Sequence, residues 1–178
     1  MTVPPSTAQD ATTWMEQIFD EHFPEVHRYI ARRLSPDVAD DLAAEVFLVA
    51  VRGGYDPSRG EIRPWLYGIA TNLVSRHRRT EIRRWKALSR TAEPRAEAHE
   101  EATLARVAAG ALTGRLAGAL AGLKRGDRDV VLLIALTGLT HAEVAEALGI
   151  PFGTVASRLN RARKQLRRTL GDLEDHDG

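Results

Sequence analysis

Thr154, Ser157, Arg158, Asn160, Arg161 and Lys164 bring hydroxyls, an amide and cations together on one short segment. Their shared chemistry is non-covalent. Arginine can bond a guanine edge through two hydrogen bonds, hydroxyls and amides reach base edges or phosphates, and further cations grip the backbone. Covalent or metal chemistry finds no comparable set of residues. His22, His27, His77, His99, His141 and His176 are scattered, without the local spacing of a metal motif and without a recognisable nucleophile nearby. The chain therefore reads as a binding protein, with no enzyme activity, no metal and no cofactor expected.

The reading segment needs a helix with a defined phase. Val155, Leu159, Ala162 and Leu166 recur at steps of four, three and four and face a core. At about 100° per residue, Ser157, Arg161 and Lys164 then fall on the opposite side, with Arg158 on its flank. Upstream, Thr140 and Glu143 form a Thr-x-x-Glu capping box that starts a helix, and Gly149 ends it with a residue tolerant of the left-handed conformation. Pro151 opens the next helix. The pair is a helix-turn-helix whose second helix suits a major groove. A helical hairpin with a solvated basic side is the competing reading of the same residues.

The rest of the chain is helical too, with no sustained alternation that would argue for strands. One pattern runs from about Thr13 to Leu34, interrupted by Pro24. The second starts with Ser35 as N-cap and Pro36 at the first helical position, and closes at the turn cluster GGYDPSRG. The third opens near Ile62 and Pro64 and mixes aromatic and polar groups with a basic end. Composition then shifts to an Ala/Glu-rich stretch that reads as a linker. The expected organisation is all-α: a helical domain over 10–88, a linker over 89–112 and a helix-turn-helix domain over 113–172.

The formal charge of +1 hides a segregation of charge. Residues 10–61 hold eleven acids against five arginines, whereas 62–90 hold eight Lys or Arg against Glu81 alone. A second basic block, Arg158 to Arg168, has six cations and no acid. Two separated basic segments are what two phosphate-binding surfaces require. With no cysteine there is no disulfide framework or thiol chemistry. The apolar run VVLLIAL is far short of the roughly 20 residues that cross a bilayer. The start lacks a secretory signal pattern, so a cytoplasmic protein without membrane insertion is expected.

Three segments in this order, DVADDLAAEVFLVAV, IRPWLYGIATNL and GLTHAEVAEALGIPFGTVASRLNRARKQL, resemble a bacterial RNA polymerase sigma factor of the extracytoplasmic-function group of the sigma-70 family. The resemblance spans most of the chain. It implies a subunit that binds core RNA polymerase, directs it to promoter DNA and is regulated by an anti-sigma protein. Asp40, Asp41, Leu42, Glu45 and Phe47 are then the expected polymerase-docking residues. Trp65, Asn72, Arg76, Arg78 and Arg79 are expected at the unpaired minus-ten strand, with Asn72 matching a position that holds a flipped base. Thr154, Ser157, Arg158, Asn160, Arg161 and Lys164 are expected at the minus-thirty-five element. Two departures stand out: Ala44 where members often have Gln, and Ala156 where many have Lys or Arg. A free-standing helix-turn-helix regulator is the alternative, and it would read paired half-sites instead of one asymmetric promoter.

Overall fold

A computed structural model describes residues 8–56, 58, 60–88 and 114–171. The expected linker lies outside the described residues. Among the described residues every long element is a helix and none is a strand: α1 Ala8–Ala31, α2 Pro36–Gly53, α3 Ile62–Leu88, α4 at 114–122, α5 Arg125–Thr137, α6 His141–Leu148 and α7 Phe152–Gly171. The first expected helix is thus continuous through Pro24.

Helices α1, α2 and α3 pack on one another around Val26, Tyr29, Ile30, Val46, Leu66 and Val74, all essentially inaccessible. Ser35 occupies the N-cap of α2 with extended backbone, yet its side chain makes no capping bond. Pro36 accounts for the conformation, because a residue before proline is pushed out of the helical region. The Ser35 carbonyl still takes the first helical bond, from the Ala39 N–H at 3.0 Å.

In the second half, α5, α6 and α7 enclose Val130, Leu133, Val144, Val155 and Leu159. The capping box forms as the sequence requires. The Glu143 N–H donates to Thr140 Oγ1 at 3.3 Å, and the Thr140 N–H donates to Glu143 Oε2 at 2.7 Å. Gly149 ends α6 with φ at 60°, and its N–H bonds the Glu146 carbonyl at 3.1 Å. That left-handed residue turns the chain sharply and sets the angle at which α7 leaves α6.

The two halves share one buried cluster, because α3 packs on α6 and α1 touches α5. At Gly68 the approach is so close that an added Cβ would lie 2.3 Å from the Ala147 carbonyl oxygen. The seam is also ionic. Arg33 of α1 donates through Nη2 to Asp129 of α5 at 2.8 Å, with side chains only 2% and 6% exposed. Arg63 of α3 donates to the Thr137 carbonyl at 2.7 Å and to Glu25 Oε2 at 3.0 Å. It therefore ties α1 and α3 to the carbonyl end of α5, where a cation is favoured.

Candidate nucleic-acid and partner interfaces

Helix α7 presents the reading segment much as its phase requires. Val155, Leu159 and Ala162 are buried, whereas Leu166, expected with them, is only half-buried near the end of the helix; Ser157, Asn160, Arg161 and Lys164 are exposed and Thr154 and Arg158 half-buried. The Ser157 hydroxyl donates to the Thr154 carbonyl at 3.1 Å, so it stays within the first turn. Arg161 is exposed but oriented: Nε and Nη2 donate to the two carboxylate oxygens of Asp127 at 3.2 and 2.9 Å. Arg158 lies along α5, its guanidinium filling the space where a Cβ on Gly126 would sit. Arg161 is thus held from α5 and Arg158 lies against it, an arrangement that sequence spacing did not disclose. A guanidinium held in place, as that of Arg161 is, loses less freedom when it meets a base edge.

On α3, Asn72, Arg76 and Arg79 are exposed. Trp65 is half-buried, its ring 5.4 Å from that of Tyr55, which in turn stacks on Trp14 at 5.8 Å. Tyr67 is buried edge-on to Tyr29 and serves packing. Arg78 is half-buried and donates to the Arg33 carbonyl at 2.6 Å, capping the end of α1. Burial, together with the nearby Arg33 and Arg128, pulls its pKa below the ordinary arginine value. Arg76 and Arg79 are therefore better placed than Arg78 to meet a phosphate.

The face of α2 divides cleanly. Leu42 and Phe47 are buried and belong to the core, whereas Asp40 and Asp41 are exposed and Glu45 half-buried. Asp40 is bonded to His27 Nε2 at 2.7 Å. Beside these acids lie two residues absent from the expected docking set, Leu48 and Val51, which are 55% and 57% exposed. With Asp41 and Ala44 they recur at helical steps opposite Ala39, Ala43, Val46 and Ala50. Helical phase, applied to α2 as it was to α7, would have found them.

Among the described residues no group of three or more His, Asp or Glu side chains is arranged to hold a metal ion. Nor is any helix there long and apolar enough to cross a membrane.

A helix-turn-helix with an acid-free second helix, joined to a helical unit carrying its own exposed amide, arginines and acidic-apolar stripe, has the architecture of a DNA-binding protein. Comparison with known proteins gives the family. Residues 18–84 match the model for Sigma-70 region 2, and residues 113–166 match Sigma-70, region 4. RNA polymerase sigma factor CarQ of Myxococcus xanthus is 32% identical over 173 residues, covering 94% of this chain and 93% of the relative. ECF RNA polymerase sigma factor SigC of Mycobacterium tuberculosis is 32% identical over 160 residues, with 86% and 80% covered. The fold is similar to CnrH in its complex with the cytosolic domain of CnrY, at TM-score 0.60, 24% identity, and 94% and 91% of the two chains. It is equally similar to RpoE bound to the anti-sigma factor NepR from Bartonella quintana, at TM-score 0.60, 21% identity, and 88% and 96% coverage. The chain belongs to the sigma-70 family, within its extracytoplasmic-function group. It is accordingly a transcription initiation factor, and the free-standing regulator is not favoured.

Proposed function

We propose that this sigma factor docks on core RNA polymerase through Asp40, Asp41, Glu45, Leu48 and Val51, reads the minus-thirty-five element with α7 and captures the minus-ten strand with α3. It does so without catalysing a reaction of its own. The observation that carries the reading is the exposure pattern of three helices. Each shows solvent the chemistry its ligand needs: acids around an apolar stripe on α2, an amide and arginines on α3, and hydroxyls, amide and cations on α7.

The partner chemistry follows. An acidic-apolar helix face suits a protein helix offering cations beside an apolar seam. Asn72 supplies an amide for the edge of an unpaired base, while Arg76 and Arg79 neutralise the flanking phosphates. On α7, Ser157, Arg158, Asn160 and Arg161 face base edges, and Lys164 faces the backbone. An anti-sigma protein is the expected regulator, since RpoE, a sigma factor of similar fold, is bound to the anti-sigma factor NepR. The cytoplasm, where polymerase and promoters are, is the expected compartment.

Transcription in vitro tests the whole reading. Core polymerase assembled with the purified chain should start transcripts at asymmetric promoters in a genomic library. No promoter-directed transcript, or binding confined to paired half-sites without polymerase, would overturn it.

A further inference from the structure

Few large apolar side chains among the described residues reach solvent: Phe19, Leu48, Val51, Leu116 and Phe152. Phe19 packs against the Phe23 and Phe47 rings, at 4.6 and 4.9 Å between centroids, and Leu48 and Val51 belong to the docking stripe. Phe152 is different. It is 58% exposed at the first residue of α7, with the His141 ring tilted beside it at 6.2 Å.

The fold does not need Phe152 in that place, because Val155 and Leu159 already anchor this end of α7 in the core. Its surroundings favour a polyanion. The first turn of α7 has no acid, and Arg158, Arg161 and Lys164 follow along the helix. Ala156, one turn on, is exposed and extends the apolar surface, while a Cβ on Gly153 would meet nothing within 4 Å. A groove wall can therefore approach Phe152 closely. The leading residues of a recognition helix are those that meet base edges, and the apolar group projecting from those edges in the major groove is the 5-methyl of thymine.

We propose that Phe152 is a specificity-determining residue that reads a thymine 5-methyl group in the upstream promoter element. The inference rests on the reading of α7 as the minus-thirty-five helix. It also bears on Ala156: where a cation at that position would add a polar contact, this chain has a second exposed apolar residue one turn from Phe152.

The test removes the methyl from the DNA and the ring from the protein. Duplexes are selected from a random library by holoenzyme made of core polymerase and the full chain, and each thymine of the upstream element is replaced in turn by deoxyuridine. At one position the replacement should weaken wild-type binding roughly fourfold, the equivalent of about 0.8 kcal/mol for one buried carbon. Phe152→Ala holoenzyme should bind the thymine duplex correspondingly less well and lose no further affinity with deoxyuridine there. An unchanged unfolding midpoint for Phe152→Ala would place the loss at the DNA. The proposal is overturned if the selected element has no thymine, if no position senses deoxyuridine, or if that sensitivity survives in Phe152→Ala. Selection of no duplex at all by the wild-type holoenzyme would instead overturn the reading of α7, and this inference with it.

Discussion

Arg158 and Lys164 sit on the same helix but are expected to fail differently when removed. Arg158 lies along α5 on the flank of the reading face, so Arg158→Ala should cost about 1 to 3 kcal/mol at one base pair and relax preference there. Lys164→Ala should weaken all sequences alike and lower the salt dependence of binding by about one released counterion. Binding of promoter variants across salt concentrations separates the two. A similar contrast applies on α2. Leu48→Asp should weaken binding to core polymerase while leaving the unfolding midpoint in place, since Leu48 faces solvent. Leu42→Ala should instead destabilise the fold by about 2 to 5 kcal/mol, as expected for an emptied core site. Equal core affinity for Leu48→Asp and wild type would remove that stripe from the docking surface.

At the scale of elements, capping and charge hold the helices to their neighbours. Thr140→Ala removes the acceptor for the Glu143 N–H and should cost about 1 kcal/mol, measured by denaturant unfolding. Glu25 links α1 to α3. Burial pushes its pKa up, but hydrogen bonds from His22 and Arg63, with the charge of Arg63, outweigh burial and hold it below the ordinary value of 4.5. A carboxylate with a lowered folded pKa contributes stability that is complete above its unfolded value and is lost as pH falls through the folded one. Stability should therefore decline on acidification below about pH 4.5, and Glu25→Gln should flatten that decline. Glu143 acts in the same direction, lowered by its bonds from Thr140 and by the charge of Arg63.

Across the whole molecule, the seam between the halves concentrates two vulnerable contacts. Gly68→Ala would force a methyl against the Ala147 carbonyl, so α3 and α6 must move apart. The variant should lose about 1 to 3 kcal/mol of stability in denaturant unfolding, as overpacking does, with each half still helical. Asp129→Ala leaves Arg33 buried without its counter-charge, a loss of about 3 to 5 kcal/mol. Replacing both partners together, by Arg33→Met and Asp129→Leu, should recover much of that stability, because neither charge is then left unpaired. A double variant no more stable than Asp129→Ala would show that the pair does more than compensate its own burial.

Periodicity and capping are local properties, which is why the sequence alone determined the helices, the capping box, the inner face of α7 and the family. The first three depend on residues a few positions apart, and the family on three such segments and their order along the chain. Tertiary structure decided what those helices meet. Arg161 is held from α5 and Arg158 lies against it, Arg78 is spent on the end of α1, and Leu42 and Phe47 are core while Leu48 and Val51 reach solvent. The two halves are also in contact, through Arg33 with Asp129 and Gly68 with Ala147. Such partners lie tens of residues apart, and charge or size read along a chain carries no record of which distant surface will cover it.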